Sequence, residues 1–441
     1  MDKFFKPISH NELQFSTCNV LHGSCLDRLK EIPDGTIDAV VCDPPYHLQS
    51  IVQRFSSPDA APAQSKESGV YARSSRGFMG QTWDGGDIAF RTDVWRECLR
   101  VLKAGGHLVA FGGTRTVHRI ACAIEDSGFE IRDMISWLYF SGFPKSLDVS
   151  KGIDKLAGAE REIIGQKFVT NAAQGKGLGH GQLIGGKVKA GNIDITAPAT
   201  PEAQHWAGYG TALKPSQEPA ILARKPIEAG SIAKQVLATG TGAINIDGCR
   251  FAFGDSCWVG PNDDTGERDP VKNTTAAGYD NKGSQFQKNT SQQIIYNYNT
   301  AGRWPANIYQ CAKPSRAEKE QGLEHLEPTT GADAVGRTEG SAGLDNPRAG
   351  AGRTAAEIRN IHPTVKPLKL MRWLVRLVTP EGGTVLDPFA GSGTTLCAAM
   401  LENRHSIGCE LTAEYLPIIH GRVQWAIDEY YRENQQLLLP W

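Results

Sequence analysis

Short apolar runs alternating with helix-spaced apolar positions organise the first third of the chain. Thr36 to Cys42 reads as a buried strand that leads straight into Asp43. Val94 to Leu102 has a helical spacing, Gly105 and Gly106 are expected to end it, and His107 to Phe111 resumes as a strand before Gly112 and Gly113. Asp133 to Phe140 is a further strand. Such alternation is the signature of βα units around a mostly parallel sheet. Regular patterning returns near the end: Leu370, Trp373, Leu374, Leu377 and Val378 lie at helical spacing, then a strand Thr384–Leu386, a helix Thr394–Asn403, a strand His405–Cys409 and a long C-terminal helix. The predicted class is α/β, with a Rossmann-like, doubly wound, mostly parallel sheet.

Between these ends the texture changes. Ser50 to Gly86 is polar, with Arg73 and Arg76 near its centre, and its length predicts a mobile loop. From about Asp148 to Asn360 the chain is rich in Gly, Thr, Asn, Gln and Lys, with weak periodicity, which marks a large insertion. Lys167, Lys176, Lys187 and Lys189 fall in the acid-free stretch Gly165–Ile193. Lysines among glycines can track a phosphate backbone or simply form a solvated loop. "EPAILARKP" (Glu218–Pro226) interrupts the insertion as one strand-like run, a candidate for return to the core sheet. Phe253–Ala301 is polar enough for parts of it to order only on binding. The predicted divisions are 1–147 and 359–441 as two halves of one core, 148–217 as an insertion, 218–226 as the return strand and 227–358 as a recognition region.

Composition narrows the class. With 441 residues and a formal net charge of −1, overall basicity gives no argument for a nucleic-acid partner, so any such partner must meet a local surface. The ten cysteines are scattered, with no C-x-x-C pair. No secretory signal opens the sequence, so a reduced, cytoplasmic protein without structural zinc or another metal is expected. No apolar run approaches the roughly 20 residues of a membrane helix.

Two strand-end loops carry the candidate chemistry. "VVCDPPY" (Val40–Tyr46) stops a strand on a carboxylate, two prolines and an aromatic ring. Proline fixes φ and lacks an N–H, so Asp43, Pro44 and Pro45 form a stiff segment offering acceptors without competing donors. Such a segment suits an exocyclic amino group on a nucleobase, with Tyr46 as a stacking surface. The bland alternative is an Asp-Pro turn that only ends a strand. "DPFAGSGTT" (Asp387–Thr395) follows a strand and opens a helix, with Gly391 and Gly393 in the tight turn. It lacks the lysine of a nucleoside-triphosphate loop, and Leu396 stands where a dinucleotide fingerprint needs a third glycine. Glu410, roughly 20 residues past the first glycine, is placed to grip ribose hydroxyls. A ribose-bearing ligand without a pyrophosphate fits, and S-adenosylmethionine is the candidate.

Together these loops resemble the β class of DNA amino-methyltransferases, in which "DPPY" precedes the target-recognition region and the cofactor loop comes near the C-terminus. "GGHLVAFGG", "HPTVKP" (His362–Pro367) and "GCE" (Gly408–Glu410) fit the same pattern, while "EPAILARKP" and "GRWPANI" resemble phage-like or orphan members. The resemblance implies a permuted methyltransferase core. It gives Asp43, Pro44, Pro45 and Tyr46 a catalytic, base-holding role. It places the cofactor against Asp43, Asp387, Phe389, Gly391, Gly393, Thr394, Thr395 and Glu410, with Thr364 and Lys366 near its methionine end. Ser24 stands where the class commonly has an acidic residue, so Asp27 or the backbone is the expected substitute there.

The implied reaction is N6-methylation of an adenine flipped out of double-stranded DNA. N4-methylation of cytosine is the alternative, and a catalytically silent DNA-binding module is the reading from another class. Arg73, Arg76, Trp83, Lys176, Lys187 and Lys189 are the DNA-contact candidates, and a homodimer is expected from the class. His22, His107, His118 and His405 read as packing residues, and Trp137, Trp258 and Trp304 as core or loop anchors.

Overall fold

A computed structural model describes residues 16–46, 87–140, 142, 146–169, 191–252, 255, 257, 303–330 and 357–436. Twelve strands are described in chain order: β1 Cys18–His22, β2 Ile37–Cys42, β3 Leu102–Phe111, β4 Glu130–Leu138, β5 Ile163–Val169, β6 Gly191–Thr196, β7 Gln217–Arg224, β8 Ile308–Gln310, β9 Thr329–Thr330, β10 Glu357–Ile358, β11 Thr384–Asp387 and β12 His405–Glu410. Eight form one sheet in the order β1-β12-β11-β2-β3-β7-β4-β8. The β1/β12, β12/β11, β11/β2, β2/β3 and β4/β8 pairs are parallel, and β7 runs antiparallel to both its neighbours.

Alternation along the central strands explains why the sheet is covered on both faces. Ala39, Val41, Val109, Phe111, Ala220 and Leu222 pack with the helices Leu368–Val378, Thr394–Leu401 and Leu416–Gln436. Their strand neighbours Val40, Cys42, Leu108, Ala110, Ile221 and Ala223 pack with the helices Thr92–Val101 and Val117–Glu125 on the other side. Successive side chains of a strand point to opposite faces, so a run buried on both sides is apolar along most of its length, with any polar residue paired. All six residues of β2 are buried. The architecture is therefore the expected doubly wound, mostly parallel one.

Several boundaries differ from expectation for identifiable reasons. Gly105 and Gly106 do not end a helix; the helix stops at Val101, and β3 runs through both glycines. The β2/β3 register slips between Ile37 and Ala39 at this place. Gly105 has φ +79°, and a Cβ on Gly106 would fall 2.9 Å from the Asp38 carbonyl oxygen, so the bend requires residues without side chains. Most of the run Glu218–Pro226 lies in β7, which sits inside the sheet between β3 and β4 and not at its edge. The segment 227–358 also contributes to the core, because β8 pairs with β4 and Gln235 in the helix Ile232–Thr239 donates to the Ala104 carbonyl at 3.0 Å. Within the 148–217 insertion, β5 and β6 pair as an antiparallel ladder.

Among the histidines, His107 is buried in β3, where burial and the nearby Arg224 and Arg132 push its imidazole down to about 4. His405 is half-buried and accepts the Thr17 backbone N–H at 2.9 Å. His22 and His118 are exposed, which corrects their reading as packing residues: each lies on the solvent side of its element. Trp137 is buried as expected, whereas Trp304 is 65% exposed and lies beneath the Arg250 guanidinium, 5.2 Å from the ring centre. Arg73, Arg76, Trp83, Lys176, Lys187, Lys189 and Trp258 lie outside the described residues.

Candidate active site

Parallel strands that neighbour in the sheet end at the same edge, and ligands of open α/β sheets lie at that edge where the winding reverses. The central pair here is β2 and β11, joined through Val385 opposite Ala39 and Leu386 opposite Val40. Asp43 follows β2 and Asp387 ends β11, so the two expected loops emerge side by side. Glu410 ends β12, and Ser24 follows β1. The antiparallel course of β7 brings its beginning, Glu218, to the same edge, opposite Trp137 of β4. These residues line one cavity of about 670 Å³, whose wall also includes His362, Thr364, Lys366 and Lys313.

At one end of the cavity lies a chain of alternating charges. The Tyr46 hydroxyl donates to Asp43 Oδ1 at 2.7 Å, and the Lys366 ammonium donates to Asp43 Oδ2. Lys366 Nζ also lies 3.1 Å from the Tyr46 hydroxyl and 3.3 Å from Glu218 Oε2. Glu218 Oε1 pairs with Lys313 at 3.3 Å, and the Lys313 ammonium sits 4.1 Å over the Tyr139 ring. Burial opposes charge on both Lys366 and Glu218, yet the partners prevail. The ammonium is held above its ordinary value by Asp43 and Glu218, and the Glu218 carboxyl below its own by Lys366 and Lys313. Burial, together with the two carboxylates, pushes the Tyr46 phenol well up.

At the other end, the glycine turn is set by conformation. Gly391 and Gly393 have φ of +55° and +74°, and a Cβ at position 391 would come within 2.8 Å of His362 Nε2. Glu410 fastens the turn, accepting the Gly391 N–H and the Thr412 N–H at 2.7 Å each. From the C-terminal helix, buried Arg422 donates to the Ser392 carbonyl at 2.8 Å, to Ser392 Oγ at 2.9 Å and to Thr394 Oγ1 at 3.0 Å. Asp387 Oδ1 accepts the Phe389 N–H at 2.9 Å. Burial raises the Asp387 carboxyl to about 7 despite hydrogen bonds from Thr395 and Phe389. Burial likewise raises Glu410 above its ordinary value.

The cavity thus gathers Ser24, Asp43, Pro44, Pro45, Tyr46, Thr364, Lys366, Asp387, Phe389, Gly391, Thr394, Thr395 and Glu410. Gly393 caps the helix behind them. Asp27 is not among them: its carboxylate is exposed and lies 3.8 Å from Lys30. Lys366 belongs to the Asp43 cluster. Glu218, Lys313, Trp137, His362 and Arg422 were not singled out from the sequence as site residues. The available signal was an acid-proline pair at a strand terminus, since Asp43–Pro44, Glu218–Pro219 and Asp387–Pro388 all meet here. Asp269–Pro270 and Glu327–Pro328 share the dipeptide, so it discriminates only once the strands are known. Among the described residues, no group of three or more His, Cys, Asp or Glu is arranged to hold a metal ion, and no helix is long and apolar enough to cross a membrane.

A wall of acceptor-rich strand ends, with a glycine turn beside them, defines a group-transfer site of the nucleotide-handling α/β class. The family model for DNA methylases of the N6/N4 type matches residues 37–175 and 183–421, and the chain belongs to that family. It is 23% identical over 403 residues to the type II methyltransferase M.HindIII of Haemophilus influenzae, covering 89% of this chain and 90% of the relative. A shorter match, 39% over 75 residues, is to the type II methyltransferase M.ScaI of Streptomyces caespitosus, covering 17% of this chain and 24% of the relative. Among solved structures, the cytosine-N4-specific PvuII DNA methyltransferase aligns with 95% of this chain and 93% of its own, at 14% identity and TM-score 0.41. The M1.HpyAVI complex with S-adenosylmethionine aligns with 92% and 99%, at 14% identity and TM-score 0.38. The protein is a DNA methyltransferase.

Proposed function

We propose that the protein methylates the N6 amino group of an adenine flipped out of duplex DNA, with S-adenosylmethionine as methyl donor. The observation that carries this reading is the convergence of Asp43 and Asp387, from adjacent parallel strands, on one cavity. The residues at the Asp387 end fit the cofactor by their chemistry. Glu410 retains lone pairs for ribose hydroxyls, the glycine turn admits a ligand against its backbone, and the carboxylates suit a cation. Ser24, Thr364, Asp387, Phe389, Gly391, Gly393, Thr394, Thr395 and Glu410 would hold it. When bound, it supplies an electrophilic methyl group that needs no metal activation.

The chain's own residues perform the rest. The amino nitrogen of adenine is a poor nucleophile because its lone pair is delocalised into the ring. Asp43 and the Pro44 carbonyl, accepting its two N–H groups, favour the pyramidal nitrogen that attacks in line. Prolines 44 and 45 keep those acceptors stiff, so little reorganisation is needed. Tyr46 supplies both a ring to face the extruded base and the hydroxyl that orients Asp43. Within the resemblance, the aspartate heading the tetrad favours adenine, because N4-cytosine enzymes of the class often have serine there. A homodimer is part of the same proposal and is read from the protein's mass in solution.

The test is incubation with methyl-labelled S-adenosylmethionine and mixed-sequence duplex DNA, followed by nucleoside mass analysis, with Asp43→Ala as control. N6-methyladenine from the unmodified protein alone is expected. N4-methylcytosine would overturn the base assignment while keeping the chemistry.

A further inference from the structure

Both oxygens of Asp43 are already engaged within the protein. Oδ1 accepts from Tyr46 and Oδ2 from Lys366, so each oxygen keeps a lone pair, but the carboxylate that should receive the target amino group is already neutralised by an ammonium. Asp43 becomes a stronger acceptor for the amino group if the ammonium moves off it as the base arrives. Lys366 is 7% exposed, and a buried ammonium cannot be left without an anion. Glu218 touches both donors that hold Asp43: its Oε2 lies 3.3 Å from Lys366 Nζ and 3.4 Å from the Tyr46 hydroxyl. An ammonium carries three donors, so a small shift toward Glu218 completes the exchange.

Its surroundings hold Glu218 in place for this. It is the second residue of β7, directly before Pro219, which restricts it to extended backbone, and Trp137 stands opposite it in the ladder. Its other oxygen pairs with Lys313, whose side chain is 46% exposed. Water can therefore take over that ammonium when Glu218 receives Lys366.

Resting on the methyl-transfer reading above, we infer that Glu218 is a positioning residue: it draws the Lys366 ammonium off Asp43 as the target amino group enters, freeing the catalytic carboxylate. No bond to carbon forms or breaks in this step; hydrogen bonds exchange, and the charges of Asp43, Glu218, Lys366 and Lys313 are conserved.

The experiment compares the unmodified protein, Glu218→Gln, Glu218→Asp, Lys366→Met and the Glu218→Gln/Lys366→Met double variant. It measures single-turnover methyl transfer to mixed-sequence duplex DNA alongside S-adenosylmethionine affinity. Glu218→Gln is expected to slow transfer about 100-fold, the scale of a misplaced reacting group, while cofactor affinity changes less than about twofold. Glu218→Asp is expected to recover part of the rate. Lys366→Met, added to Glu218→Gln, is expected to raise the rate about tenfold or more, because the ammonium to be displaced is gone and the two effects do not multiply. Transfer by Glu218→Gln at the unmodified rate would overturn the inference. So would its loss of cofactor binding, or rate losses that multiply in the double variant. Absence of transfer by the unmodified protein, with cofactor bound, would instead overturn the methyl-transfer reading itself.

Discussion

Asp43 and Asp387 begin as near equivalents: each ends a central parallel strand, each precedes a proline, and both face one cavity. Their surroundings make them different reagents. Asp43 is held by an ammonium and a phenol. Asp387 is buried among backbone and hydroxyl groups, and its carboxyl rises to about 7. The contrast shows that a strand-end carboxylate acquires its role from the elements packed across from it, more than from its own loop. Asp43 owes its ion pair to Lys366, which Glu218 of β7 holds as a second anion, and both residues are far away in sequence.

The largest expected break is at Asp43. Asp43→Ala should lower single-turnover methyl transfer by about 1,000-fold or more, on the scale of a lost transition-state acceptor, while titration shows cofactor affinity largely unchanged. Arg422 tests the other loop. Arg422→Met removes three hydrogen bonds from a buried cation to Ser392 and Thr394, each worth about 1.5–3 kcal/mol when a charge is involved, although the variant can relax. Cofactor affinity should fall about 10- to 100-fold by calorimetry, with the rate at saturating cofactor far less affected.

Asp387 gives a pH signature. Its folded value, about 7, lies above the ordinary carboxylate value of 3.8, so the folded protein retains a proton that the unfolded chain releases. The stabilising contribution is complete below the ordinary value and is lost as pH rises through about 7. Asp387→Asn should remove this loss, flattening the melting temperature between pH 5 and 8. A cationic ligand favours the ionised carboxylate, so affinity for S-adenosylmethionine should rise up to about tenfold from pH 6 to pH 8 in the unmodified protein and stay level in the variant. The smallest effect belongs to Asp27, whose exposed pair with Lys30 lies outside the cavity. Asp27→Asn should change cofactor affinity less than about twofold, consistent with the low worth of surface pairs.

The two loops were legible because each is contiguous: carboxylate, prolines, glycines and aromatic ring lie within a few residues, and strand periodicity fixed their place. The strands around them were legible for the same reason, within a few residues at the ends. Glu218 was seen only as the start of a strand, since its role depends on β7 running backwards between β3 and β4. Lys366, which the resemblance places near the cofactor's methionine end, also stands against Asp43, a contact that only the fold reveals. Arg422 looks like any arginine of an amphipathic helix until its helix is packed behind the turn. The three residues of β8 are too few to show a period.

The seam between β2 and β11 also has a consequence for biosynthesis. Asp38 of β2 accepts the Thr384 backbone N–H from a position 346 residues away. At roughly 5–20 residues per second, the ribosome delivers that partner on the order of half a minute after β2 emerges. For that interval the most apolar strand of the sheet has an open flank, a template for unwanted pairing with other chains. A chaperone on the nascent chain, or slower production at reduced temperature, should therefore improve the yield of correctly folded protein.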